Sequence, residues 1–296
     1  MEIQISGFYE KTVYRDEKTA DTIFSFRPAN TTGYENRFGN FTCLGRILPY
    51  EAGMPLLVQG KWKQSNYGYQ LILEICREHT WDDVSAISYL TSGSFAGISY
   101  AAARELVQKL GHGIFQMVQT SGIEKKMIQF VRKLDADSAN ELCIKLREQI
   151  MQRELHDYVE YYEGSWVATQ RLIKAYGSEA LASLKKHPYE TGIGHGLDFK
   201  ICDRIGKDQG FHPASTERIM AAIKTAMWRN SGRGNVYAPI NEACKLFQSI
   251  INNGSFTDEI PTSIVLNAFP QSPDIVIEPD FEERIYLKTL YEAEIE

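Results

Sequence analysis

Two fifteen-residue stretches, far apart in the chain, share a pattern that constrains the fold more than any other feature. "GISYAAARELVQKLG" (97–111) and "GLDFKICDRIGKDQG" (196–210) each open on a glycine followed by an aliphatic residue. Six positions after the glycine stands a small residue (Ala103, Cys202), nine after it an aliphatic one (Leu106, Ile205), and fourteen after it a second glycine (Gly111, Gly210). Weaker copies begin at Gly122 ("GIEKKMIQFV") and at Gly164 ("GSWVATQRLIKAYG"), the latter closing at Gly177 after thirteen positions. Recurrence at matched internal offsets marks a repeated supersecondary unit. By sequence order the copies form two pairs, 97 with 122 and 164 with 196.

The residue types say what the unit is. Glycine lets the backbone turn with positive φ, and the helix after it begins with N–H groups lacking an intrahelical partner, where its dipole favours an anion. The small residue lets two helices approach and the aliphatic one fills the core between them. This is a tandem helix-hairpin-helix arrangement, and a DNA phosphate suits such a turn. Contact through main chain positions a strand without reading its bases. The candidate DNA contacts are Gly97, Ile98, Ser99 and Tyr100 in the first hairpin, Gly122 with Lys125 and Lys126 in the second, and Gly196, Phe199 and Lys200 in the fourth. The phosphate-binding form usually has a second glycine two positions after the first. Here Ser99, Glu124, Trp166 and Asp198 stand there, and Glu124 and Asp198 are expected to repel a phosphate.

Around this region the periodicity divides the chain. Residues 1–80 alternate as strands do, most clearly in "YGYQLILEI", where Tyr67, Tyr69, Leu71, Leu73 and Ile75 share one face. Five short strands fit a small barrel of the OB type, and an SH3-like barrel fits nearly as well. Trp62, Tyr67 and Tyr69 interleave with Lys61 and Lys63, a mixture that suits a single-stranded DNA platform; otherwise the aromatics fill the barrel and the lysines are solvated. Apolar residues then recur at three and four from Val84 to about Asn253, which gives short helices ended by glycines. The fold class is α+β and multidomain, with boundaries expected at 1–80 for the barrel, 84–150 and 151–213 for the two hairpin pairs, 214–253 for two helices in the manner of a winged-helix element, and 254–296 for the rest. In 214–253, Arg218, Lys224, Arg229 and Arg233 offer phosphate contacts. In 254–296, "GSFTDEIPTSIVLNAF" and "DIVIEPD" read as a strand pair and "FEERIYLKTLYEAEIE" as a helix. That helix has no stop signal, so the chain is expected to be a fragment.

Charge and cysteine usage exclude several classes. The formal net charge is −6, but residues 274–296 carry eight acids against Arg284 and Lys288, so the body before them is neutral. A strongly basic nucleic-acid domain is excluded, while basic faces such as "IEKKMIQFVRK" are not. Five cysteines, each at least 33 residues from the next, form neither a zinc knuckle nor a disulfide framework. The six histidines show no HExxH or comparable spacing, so no metal site is expected. "YVEYYEGSW" could stack bases, but Tyr158, Tyr161 and Tyr162 at helical spacing suit a core better. No apolar run reaches the ~20 residues a membrane span needs, so no membrane partner and a cytoplasmic location are expected.

The order of the pieces resembles a known family. "KAYG", "HPYE", "DFKICDRIGKDQG", "ERIMAAI" and "NVYAPINEA" are similar to the region preceding the motor in RecD-like (RecD/TraA type) ATP-dependent DNA helicases. The barrel with "GKWKQSNYGYQL" and the hairpin "YLTSGSFAGISYAAARELVQKLG" resemble that family's opening modules, and "RIYLKTLYEAEIE" its lead-in to the first ATPase domain. The resemblance implies a non-catalytic accessory region that binds single-stranded or forked DNA, with helicase motor domains in cis translocating 5′ to 3′. It also implies a place in DNA repair and recombination. ATP and Mg²⁺ would belong to those motor domains, because no GxxxxGK[ST] loop occurs in this chain and no cofactor is expected in it. The competing class is a protein-interaction scaffold, whose degenerate hairpins dock a partner or the motor.

Overall fold

The alternation in residues 1–80 becomes five strands that close on themselves. The computed structural model describes residues 3–16, 19–66, 68–257, 259–278 and 283–295. Strands β1 (Ile3–Arg15), β2 (Asp21–Pro28), β3 (Phe41–Arg46), β4 (Pro55–Ser65) and β5 (Gly68–Glu78) form a closed barrel in the order β1-β2-β3-β5-β4. All neighbours are antiparallel except β3 and β5, which run parallel, and β1 pairs with both β2 and β4. This Greek-key order decides for the OB-like barrel over the SH3-like alternative. The shared face of β5 holds only in part. Gln59 pairs with Ile75 but Gly60 with Leu73, so Glu74 is an extra residue that reverses the facing of the later part of the strand. Leu71 is buried, whereas Ile75 is turned out to solvent. Tyr67 lies outside the described residues.

The chain divides into two units, residues 1–153 and 154–296, with the boundary inside one long helix. In the first unit the barrel is followed by α1 (Asp83–Leu90), α2 (Tyr100–Leu110), α3 (Ile114–Met117), α4 (Ile123–Phe130) and α5 (Ala136–Tyr161). Barrel residues such as Phe24, Leu56 and Leu71 belong to the same apolar core as Tyr89, Leu106, Ile114 and Leu142 from the helices. Barrel and first hairpin pair therefore stabilise each other by burying surface that neither would cover alone.

The second unit is built from α6 (Trp166–Tyr176), a 3₁₀ turn at Gly177–Glu179, α7 (Ala180–Lys186), α8 (Pro188–Gly194), α9 (Phe199–Asp208), α10 (Thr216–Ser231), β6 (Tyr237–Pro239) and α11 (Ile240–Asn252). It continues with α12 (Thr262–Ala268), β7 (Ile275–Glu278), β8 (Arg284–Leu287) and α13 (Lys288–Ile295). Two expectations for residues 254–296 are corrected here. "TSIVLNA" is a helix that starts directly after Pro261, whose ring suits a helix entry and removes a ladder donor. The partner of β7 is β8, taken from the start of the expected final helix, because Ile285 and Leu287 bury themselves in an antiparallel three-stranded sheet ordered β6-β8-β7.

No cysteine is bridged, and four of the five are buried. Desolvation raises every thiol pKa, Cys143 to about 11 and Cys76 to about 12. Since only the thiolate reacts, the folded protein should consume almost no Ellman's reagent at pH 8, and all five thiols should titrate in denaturant. A fast-reacting native thiol would contradict this burial.

Candidate nucleic-acid interface

The first and fourth copies of the repeat have the same local geometry. Gly97 (φ 74°) and Gly196 (φ 95°) both adopt the left-handed conformation, and two residues later Ser99 and Asp198 are the N-caps of α2 and α9. Each helix then opens on an aromatic residue, buries its small residue (Ala103, Cys202) and its aliphatic one (Leu106, Ile205) completely, and closes near a second left-handed glycine, Gly111 or Gly210. The other two copies depart from this. Gly122 is itself the N-cap of α4, and in the third copy the left-handed residue is Glu163 while Ser165 caps α6. The closest structural correspondence is thus between the first hairpin and the last, one in each unit.

The residue at the usual second-glycine position acts as a cap. Ser99 Oγ accepts from the amide of Ala102 at 3.2 Å, and Asp198 Oδ1 accepts from that of Lys200 at 2.9 Å. Each cap occupies one first-turn amide. The amides of Ser99 and Tyr100, and those of Asp198 and Phe199, have no acceptor among the described residues.

Electrostatics separates the two turns. Asp198 Oδ2 accepts from Arg229 at 3.0 Å, both side chains being half-exposed. A Cβ placed on Gly196 would lie only 2.8 Å from the Arg171 guanidinium. Lys200, two residues after Asp198, is exposed, so Arg171, Arg229 and Lys200 put three cations on or next to a turn that contains one carboxylate. Glu124 is likewise paired, with Arg147 at 2.7 Å, and its carboxyl is held below the usual range by its own backbone amide and by that guanidinium. The expected repulsion from Glu124 and Asp198 is therefore offset by arginines that the spacing did not reveal. At Gly97 a Cβ would collide with Ser138 Oγ, so the turn packs against the start of α5. A side chain at Gly97 would disturb packing as well as any ligand contact.

Other candidate residues occupy varied positions. Tyr100, Lys125 and Lys126 are exposed, and Gly122 is open. Ile98 is half-buried against the core. The Phe199 ring is buried near Tyr189, so the aromatic that opens α9 fills the core and only its amide faces the turn. In the barrel, Lys61 pairs with Glu74 at 2.6 Å, and the alternation of β4 turns Lys61 and Lys63 to the face opposite Trp62. Trp62 packs on Tyr34 and Phe41, with Tyr69 against Tyr34. Basic and aromatic residues that interleave in sequence thus do not share one surface. Arg218 is fully buried in an ion pair with Asp203, which removes it from any phosphate surface, and Lys224 is bound to Asp274 at 2.8 Å. Arg229 and Arg233 are exposed. Tyr162 is buried with its hydroxyl donating to Asp208, Tyr158 is half-buried, and Tyr161 is exposed. His156, Asp157 and Glu160 bring ligand-type atoms within 4.8 Å of one another on α5, in the manner of ion pairing along a helix surface.

Two residues near the Gly196 turn carry no label from the repeat. Arg171 sits on the outer face of α6, in the third copy, and nothing local ties it to the fourth. Trp228 is exposed between Lys224 and Arg229 on α10, and an aromatic flanked by cations on a polar helix face was the available signal.

Turns of this geometry, each leading into a packed helix, identify helix-hairpin-helix elements. The family model of the ATP-dependent RecD2 DNA helicase HHH domain matches residues 148–237, from the later turns of α5 to the start of β6. Over those residues the match supports a RecD-like helicase N-terminal region, and with it a DNA-binding accessory role. Among the described residues no helix is long and apolar enough to cross a membrane.

Proposed function

We propose that the chain guides single-stranded or forked DNA toward helicase motor domains in cis, holding the phosphate backbone at the Gly196 turn and, more weakly, at the Gly97 turn. The observation that carries this reading is the Gly196 turn itself, where two amides without acceptors among the described residues stand close to Arg171 and Arg229, with Lys200 exposed two residues after Asp198. ATP and Mg²⁺ would act in the motor domains, and the contribution of this region is positional. The test is fluorescence anisotropy with a 5′-tailed fork over a salt series. Binding at low salt should weaken with a log–log slope of about 0.7 per phosphate contact on the single-stranded arm. No binding to tailed or single-stranded DNA at about 50 mM salt would reject this function and favour the protein-docking scaffold.

Asp198 supplies a signed prediction. Asparagine caps a helix about as well as aspartate, so Asp198→Asn keeps the bond to the Lys200 amide while removing the charge and releasing Arg229. Affinity for DNA should rise a few-fold in the same titration, with the melting temperature nearly unchanged. A fall in affinity at unchanged stability would mean that the carboxylate itself contributes to binding.

A further inference from the structure

The Gly196 turn opens onto a cavity of about 370 Å³ whose lining includes Gly196, Asp198, Thr225, Arg229 and Trp228. Trp228 is 41% exposed, a large fraction for a tryptophan, and it also lines a second cavity of about 480 Å³ with Tyr189, Met220 and Lys224. The Lys224 ammonium lies 5.3 Å from the centre of the indole ring and is itself tied to Asp274, which helps to hold the ring in place. Thus one recess combines a glycine turn, a half-exposed guanidinium and a supported aromatic face.

A main-chain and arginine contact alone would take duplex and single strand alike, since both present phosphates. The aromatic face changes this, because only an unpaired base can leave its stack and lie flat on an indole. We infer that this recess binds one unpaired nucleotide, its phosphate at the Gly196 turn beside Arg229 and its base stacked on Trp228. The inference rests on the proposed phosphate contact and adds to it a preference for unpaired strand. An occupant with an anionic group next to a planar ring matches the charge and shape of the recess. A purely apolar peptide side chain would make no use of Arg229 in the recess or of Arg171 against the Gly196 turn.

The test compares Trp228→Ala and Trp228→Phe with the unmodified chain, on a single-stranded oligonucleotide and on a blunt duplex of equal length. Stacking predicts that Trp228→Ala loses about fivefold or more in single-strand affinity, that duplex affinity is unchanged, and that Trp228→Phe retains most of the single-strand binding. In a chain whose other tryptophans are replaced by phenylalanine, single strand should quench the Trp228 emission. Equal losses on both substrates, or single-strand affinity indifferent to Trp228→Ala, would overturn the inference while salt-sensitive DNA binding kept the phosphate contact. Absence of all DNA binding would overturn both together.

Discussion

Replacing Arg218 with alanine is expected to cost the second unit about 3–5 kcal/mol of stability, the usual consequence of removing one partner from a buried ion pair. Arg218 and Asp203 are both fully inaccessible and meet through two bonds, at 2.6 and 3.2 Å. The guanidinium also donates to the carbonyls of Pro213 and Ile251 and lies over the Phe256 ring. Asp203 in turn accepts from the Tyr189 hydroxyl and from the Ser255 amide. Alanine would leave a buried carboxylate facing two donors without its counter-charge, and would empty a volume joining α8, α9, α10 and the end of α11. Urea denaturation monitored by circular dichroism measures the loss, and the melting temperature should fall by roughly 6–20 °C. A loss below about 1 kcal/mol would show that water or a rearranged side chain replaces the guanidinium. Combining Arg218→Met with Asp203→Leu should recover only part of the stability, because Tyr189 and Ser255 would then lose their acceptor.

The double substitution Lys200→Glu and Arg229→Glu should lower affinity for tailed DNA at least about a hundredfold, since each removes a charge-assisted phosphate contact and adds repulsion. The magnitude of the salt slope should shrink by about 1.4, the share of two contacts on a single strand. Both side chains are exposed, so the circular dichroism spectrum and melting temperature should remain near those of the parent. Affinity equal to the parent's, in a folded double variant, would move the DNA surface away from α9. Arg218 and this pair report on different properties: the buried cation on stability, the exposed cations on binding.

The hairpins were legible in the sequence because their determinants are local. A turn glycine, a small residue and an aliphatic one fall at fixed offsets along a single helix, so spacing alone exposes Gly97, Ala103 and Leu106 beside Gly196, Cys202 and Ile205. The five barrel strands were legible for the same reason, through alternation. What escaped depends on partners distant in sequence. Arg218 reads as a surface cation until Asp203, from another helix, meets it in the core. Asp198 reads as a repulsive charge until Arg229 is brought across from α10. The outward turn of Ile75 comes from a register irregularity against β4, which the sequence of β5 does not record. Residues 284–287 look helical in isolation and become a strand because β6 and β7 stand on either side to receive them.

The joint interior of the OB-like barrel and the first hairpin pair bears on inheritance as well as on stability. Severing the chain between β5 and α1 would bare a greasy seam on both pieces, so neither would survive alone as a well-behaved protein. Gene rearrangement would have to carry the two together, as a single evolutionary cassette.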